Sequence, residues 1–185
     1  MSDLLNNFEK FMYEEDYIAD LVKVALLHSQ FEMIHPFLDG NGRVGRLLIA
    51  FYLSAKNLLH KPTLYLSKYF KKNRETYYDC LYNIHAKGEY ETWIKFFLEG
   101  IIQTSREAID MARAISQLKE NDLRKISLLG RISENALVVY EGLFDKPTIT
   151  IEDIINKLEV SNATAGRLAE KLIEIDILEN IKDRS

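Results

Sequence analysis

Between residues 35 and 46 the chain concentrates side chains that can carry out phosphate chemistry. They are four ionisable residues and three glycines: His35, Asp39, Arg43, Arg46, Gly40, Gly42 and Gly45. Glycine can adopt a positive φ and approach a ligand closely, so successive N–H groups can converge on phosphate oxygens. Histidine takes up a proton near neutral pH, and a lone carboxylate beside a phosphate site typically holds Mg²⁺. Together these residues predict an active-site loop for nucleotidyl or phosphoryl transfer.

Two apolar stretches must position this loop. The run from Leu47 to Phe51 predicts a helix that begins where the glycines end and continues to residue 57, apolar on nearly every side and therefore the core of the domain. Upstream, helical spacing over residues 17–33 predicts a second helix, which ends because Pro36 disfavours the α conformation at His35. We expect Phe37 to be buried, which would hold the loop rigid.

Two further features have competing interpretations. His28 lies two helical turns before His35 and could share its side of the helix, but structural polar contacts are a better prediction than metal binding. Residues 68–74 contain four cations, for which a solvated face is the default interpretation.

Residues 35–46 resemble the complete signature of the Fic (filamentation induced by cyclic AMP) family, H-x-F-x-D/E-G-N-G-R-x-x-R. The run closes without the Gly-Lys-Ser/Thr of a P-loop, and no strand pattern precedes it as in a dinucleotide fold. The flanking residues 25–34 are similar to the helix that delivers the Fic loop. Downstream, Tyr77-Tyr78, Gly88 and residues 93–100 are similar to the closing helices of the family.

This resemblance implies a protein adenylyltransferase, which transfers AMP from ATP to a Ser, Thr or Tyr hydroxyl of a target protein and releases pyrophosphate. His35 would be the general base, and Asp39 would hold Mg²⁺. Loop amides and Asn41 would bind the transferred phosphoryl group, Arg43 and Arg46 the pyrophosphate end, and Tyr77 the nucleotide. The implied ATP- and phosphate-binding set is Phe37, Gly40, Asn41, Gly42, Arg43, Gly45, Arg46 and Tyr77.

The rest of the chain predicts a mainly α protein, a Fic-type helical bundle followed by a small winged-helix (helix-turn-helix-like) domain. We assign residues 1–108 to an N-terminally incomplete catalytic core, 109–126 to a linker helix and 127–185 to the winged helix. In that last part, helices are predicted over residues 133–143, 150–158 and 161–175, with Thr150 as N-cap and Asp153 at the capping-box position. Residues 176–181 are predicted to form a strand, after which the wing is incomplete.

Composition and charge indicate in which compartment the protein works and which partners it binds. The 185 residues are 47% hydrophobic, and the single cysteine, Cys80, excludes an internal disulfide and is expected to be a buried spacer. With neither a signal peptide nor a membrane span in the pattern, we expect a cytoplasmic protein.

The net charge of −4 falls on residues 126–185, with 7 Lys/Arg against 11 Asp/Glu. We therefore expect no DNA binding by the winged helix but a role in protein contact or in a homodimer.

A second interpretation is a non-enzymatic nucleotide-binding regulator or protein-interaction module built on a truncated Fic fold. Two expectations bear on the choice between them. The β-hairpin flap of the family, which aligns the target, has no counterpart in the pattern before Tyr17. The inhibitory motif of the family matches only residues 116–121, where so loose a pattern is first of all a coincidence.

Overall fold

A computed structural model describes residues 2–14, 17–59 and 65–181, and within these ranges the protein is mainly α-helical, as predicted. The helices are α1 (Ser2–Tyr13), α2 (Asp20–Ile34), α3 (Asn41–Ala55), α4 (Leu66–Lys72), α5 (Arg74–Lys87), α6 (Tyr90–Ser127), α7 (Ser133–Gly142), α8 (Ile151–Leu158) and α9 (Asn162–Glu174). One turn of 3₁₀ helix, Gly130–Ile132, precedes α7. No described helix combines the length and the hydrophobicity that a membrane span requires.

The structure divides into two compact units, residues 1–111 and 112–185, and helix α6 contributes to both. The core of the first unit is built around α2, which is buried on nearly every side. Its most buried residues are Val24, Ala25, Leu27, His28 and Ser29. Helix α3 was expected in this role, but it buries one face only and leaves Leu47 and Phe51 exposed. The prediction that α3 forms the centre of the domain is therefore wrong.

Two buried aromatic residues of α6 join the first core. Trp93 and Phe97 are fully buried, and the indole N–H of Trp93 donates to the carbonyl of Ala25 at 2.8 Å. A buried indole N–H needs such a partner, so this bond sets the register of α6 on α2. Cys80 is buried in the same core, as predicted.

The second unit has its own core, formed by α7, α8, α9 and the end of α6. Thr150 and Asp153 form the predicted capping box, in which the Thr150 hydroxyl accepts from the Asp153 N–H and the Asp153 carboxylate accepts from the Thr150 N–H. Ser161 caps α9 by accepting from the Thr164 N–H. The sequence signals for helix starts are thus confirmed at both places.

The strand predicted over residues 176–181 is wrong, since this segment contains no strand. Asp176 adopts a left-handed conformation (φ 55°), and the N–H groups of Ile177 and Leu178 both donate to the Leu172 carbonyl. These bonds satisfy the carbonyl end of α9 and turn the chain back onto its last helical turn. Within the described residues the unit therefore consists of the end of α6, the 3₁₀ turn, α7, α8 and α9, without a wing.

Candidate active site

His35 lies at the end of α2, where the helix gives way to the loop, as predicted. Its backbone is left-handed (φ 49°, ψ 56°), and its N–H still donates to the Phe31 carbonyl at 3.0 Å. The imidazole is exposed, with Nδ1 3.3 Å from the carbonyl oxygen of Glu32. A carbonyl can only accept, so this contact favours the neutral tautomer with the proton on Nδ1. The other ring nitrogen, Nε2, is then the one that can take up a proton.

Asn41 braces the loop from within. Its side chain is buried, and it accepts from the Phe37 N–H at 2.9 Å while donating to the Phe37 carbonyl at 2.6 Å. Phe37, in contrast, is 50% exposed, with its ring 6.3 Å from that of Phe31. The prediction of a buried Phe37 is therefore wrong. The rigidity expected from that ring comes instead from the Asn41 carboxamide, which replaces the backbone partners that a loop lacks.

Asp39 and Arg43 stand together on the solvent side of the loop. One Asp39 oxygen accepts from the Gly40 N–H at 2.6 Å, and the other lies 3.4 Å from Arg43 Nη2. Both side chains are largely exposed, so this ion pair contributes little stability. The carboxylate and guanidinium are thus accessible to a ligand.

Helix α3 begins earlier than predicted. It starts at Asn41, which places Gly42 and Gly45 inside the helix, and of the three loop glycines only Gly40 has a positive φ, 85°. The glycines therefore have different roles. Gly40 makes the turn, whereas a Cβ on Gly42 would lie 3.1 Å from Arg46 Nη1, so its absence lets that guanidinium pack against the helix start. The first N–H groups of α3, without helical partners, point into the loop region.

His28 occupies a different environment, in the middle of α2. It is fully buried against the rings of Phe70 and Trp93, whose centroids lie 5.6 and 5.8 Å from that of the imidazole. Its Nε2 hydrogen-bonds with the Tyr77 hydroxyl at 3.0 Å, which is the structural polar contact that was predicted. Burial lowers the pKa of His28 to about 4, with a backbone hydrogen bond at Gly45 opposing the shift and the Arg46 charge adding to it. His28 is therefore neutral at physiological pH.

Glu32 connects this buried histidine with the loop, and sequence reasoning gave it no role. Burial raises the pKa of Glu32, an effect that the positive charge of Arg46 partly opposes. A Cβ on Gly45 would lie 2.8 Å from Glu32 Oε1 and 3.1 Å from His28 Cε1. Only glycine at this position lets α3 approach α2 so closely. The spacing of Gly45 from the loop could not reveal this, because it depends on the packing of two helices.

Tyr77 lies in the core and also lines a cleft beside Arg46. Its ring is 5% exposed, and burial raises the pKa of its hydroxyl, which therefore stays protonated. The cleft, of about 310 Å³, also contains Lys71 and Arg74, two of the four cations predicted to form a solvated face. All four of those cations are exposed, as predicted, and these two also line the cleft beside Arg46.

Comparisons with known proteins match part of the chain. Residues 1–53, which include the whole loop, match the model of the Fic/DOC family. A probable protein adenylyltransferase of Aquifex aeolicus is 37% identical over 73 residues, which are 40% of this chain and 23% of that protein. Proteins named protein adenylyltransferase Fic from Aedes aegypti and Culex quinquefasciatus are 31% and 30% identical over 101 residues, 54% of this chain and 19% of each relative. The chain thus spans about a fifth of the length of the relatives that it matches.

Proposed function

We propose that this chain is a Fic-type protein adenylyltransferase, which transfers AMP from ATP to a Ser, Thr or Tyr hydroxyl of a target protein. The observation that carries the proposal is the geometry of His35. Its Nδ1–H is bound to the Glu32 carbonyl, which leaves Nε2 as a base beside the N-terminus of α3. A base next to a helix start that binds anions suits the activation of a hydroxyl in front of a phosphate.

The nucleotide phosphates would lie over the start of α3. The N–H groups of Asn41 and Gly42 at the helix start are the natural donors, and Gly40 provides the turn that opens the site. Arg43 and Arg46 would bind the β- and γ-phosphates through charge-assisted hydrogen bonds. Their charge stabilises the pyrophosphate as it leaves.

Of the other residues in the predicted set, three shape the site and a fourth, Tyr77, would contact the nucleotide. The Asn41 side chain and the Phe37 main chain hold each other, so they define the loop shape instead of reaching the ligand with their side-chain polar atoms. Gly45 allows the close contact between α2 and α3 that places the loop. Tyr77 would contact the nucleotide with its ring, since its hydroxyl is engaged by His28.

Asp39 fits the role of the Mg²⁺ ligand. Its carboxylate is 94% exposed in its side chain and each oxygen has only one neighbour, so lone pairs remain for a cation. Among the described residues no cluster of three or more His, Cys, Asp or Glu side chains could hold a metal. One carboxylate with phosphate oxygens and water is a usual environment for Mg²⁺, which would neutralise phosphate charge.

In the proposed reaction His35 is the base, and Arg43 and Arg46 bind the leaving pyrophosphate. The target hydroxyl oxygen attacks the α-phosphorus, its proton passes to Nε2 of His35, and the bond from the α-phosphorus to the bridging oxygen breaks. AMP remains on the target oxygen. Pyrophosphate leaves toward Arg43 and Arg46.

The test is AMP incorporation from labelled ATP, together with calorimetric ATP binding in the presence of Mg²⁺ or EDTA. Asp39→Ala should lose the Mg²⁺-dependent part of ATP binding, whereas Glu134→Ala, which removes an exposed carboxylate from the second unit, should not. ATP binding without any AMP transfer or pyrophosphate release would support the regulator alternative. Absence of ATP binding would refute both interpretations.

A further inference from the structure

A small cationic cleft lies beside Arg46, outside the loop itself. Its lining residues are the cations Arg46, Lys71 and Arg74, together with Ser67, Phe70 and the two tyrosines Tyr77 and Tyr78. Its volume of about 310 Å³ is at the lower end of the roughly 300–1,000 Å³ typical for whole small-molecule ligands. The cleft therefore suits a compact charged group better than a complete nucleotide or a folded peptide segment.

The four cations between residues 68 and 74 divide into two pairs. Lys68 donates to Glu107 at 2.9 Å, and this bond lowers the pKa of Glu107, to which Lys72 adds a smaller effect. Lys71 and Arg74 face the cleft instead. Within residues 2–14, 17–59 and 65–181, neither of them has a carboxylate within 4 Å. Two cations without a carboxylate partner, beside a third at Arg46 whose charge also acts on Glu32, favour an anion.

The geometry of two of these cations is held in place. The Arg74 guanidinium lies over the Tyr78 ring, 5.6 Å from its centroid, a cation–π contact that limits its rotamers. The Arg46 guanidinium packs against Gly42 at the start of α3. Arg46 therefore borders both the loop and the cleft. An anion bound over the helix start can extend along Arg46 to Lys71 and Arg74.

We propose that Lys71 and Arg74 bind the terminal phosphates of the nucleoside triphosphate, and so select a triphosphate over a monophosphate. This inference rests on the proposed function, because it requires the α-phosphate to lie at the loop. Lys71 provides a mobile point charge, whereas the planar Arg74 guanidinium can make two parallel hydrogen bonds to one phosphate.

The test is calorimetric binding of three probes, ATP with Mg²⁺, inorganic tripolyphosphate and adenosine, to the full chain and its variants. Lys71→Ala and Arg74→Ala should each weaken ATP and tripolyphosphate binding about 10-fold or more, since each removes a charge-assisted hydrogen bond. Adenosine binding should not change. Lys72→Ala is the matched control on the same helix, and it should alter the affinity less than about 2-fold.

Unchanged tripolyphosphate affinity in the double variant Lys71→Ala/Arg74→Ala would overturn the inference, as would a selective loss of adenosine binding. Thermal unfolding of each variant excludes loss of folding as the cause. The two proposals fail separately. AMP transfer with normal ATP affinity in the double variant would refute the phosphate site and keep the proposed function. Tripolyphosphate binding that depends on Lys71 and Arg74, in a chain that transfers no AMP, would keep the phosphate site and refute the enzyme.

Discussion

The middle of α2 and its C-terminal end contain the same residue type in opposite environments. His28 is enclosed by Phe70 and Trp93, with its Nε2 held by Tyr77, whereas His35 is exposed at a left-handed helix end. Burial makes a charged His28 unfavourable, so it serves as a neutral packing and hydrogen-bonding group. Exposure leaves Nε2 of His35 accessible to a substrate. A histidine seven residues from another can therefore have an unrelated role, since its surroundings decide its chemistry.

The largest effect should come from removing the exposed histidine. His35→Ala should lower AMP transfer by about 10² to 10⁴-fold, the usual effect of losing a general base, while ATP affinity stays within a few-fold. His35→Asn is the companion variant, because Asn tolerates the left-handed backbone at this position. Both variants should unfold at nearly the wild-type temperature. Wild-type turnover by either would show that His35 is not the base.

The next effect is the pH dependence of stability that the buried His28 creates. The pKa of His28 is about 4 in the folded protein against 6.5 for an ordinary histidine, so the unfolded chain binds the extra proton first. His28 therefore costs the folded state nothing above pH 6.5, and the free energy of unfolding decreases as the pH falls from 6.5 toward 4. At pH 5 the loss should reach about 2 kcal/mol, from 1.36 kcal/mol per pH unit.

Urea unfolding followed by Trp93 fluorescence measures this, since Trp93 is the single tryptophan and reports on the first unit. Glu32 works in the opposite direction, because burial raises its pKa. The pH dependence of the wild-type protein is therefore compared with that of His28→Asn. This variant should be less stable at pH 7.5, but its free energy of unfolding should decrease less on acidification. An equal slope in both proteins would assign the pH dependence to other groups.

A smaller effect should follow from filling the contact between the helices. Gly45→Ala should destabilise the first unit by about 1–2 kcal/mol, because its Cβ would lie 2.8 Å from Glu32 Oε1 and 3.1 Å from His28 Cε1. Gly166→Ala is the matched control, in a helix with no atom within 4 Å of the added Cβ. It should stabilise the chain by about 0.4–1 kcal/mol. Thermal unfolding should shift in opposite directions for the two variants.

The smallest expected effect concerns the phenol that holds His28. Tyr77→Phe removes one hydrogen bond and leaves the ring packing, so we expect a loss of about 1 kcal/mol in unfolding free energy. Tyr78→Phe, on the exposed neighbour, should change it by less than about 0.5 kcal/mol. If both variants behave alike in urea unfolding, the His28–Tyr77 bond contributes nothing to stability.

A candidate loop for phosphate chemistry could be identified from the sequence, because its signature consists of residue types at fixed spacing. The proposed base, the carboxylate proposed to bind Mg²⁺ and the two arginines all lie within twelve residues, and Pro36 correctly indicated where α2 ends. The helix caps at Thr150 and Ser161 were also predictable, because a cap depends on residues three positions away. Local interactions of this kind are encoded by neighbours in the chain.

The tertiary structure decided what depends on distant contacts. The burial of α2 in place of α3, the exposure of Phe37 and the close approach at Gly45 follow from how helices pack. The division of the four cations between Glu107 and the cleft at Arg46 also joins residues far apart in the chain. Hydrophobicity and charge are properties of a residue, but burial and counter-charges are properties of its neighbours in space. For that reason the sequence alone could indicate a phosphate-binding loop, while the cleft beside it emerged only from the fold.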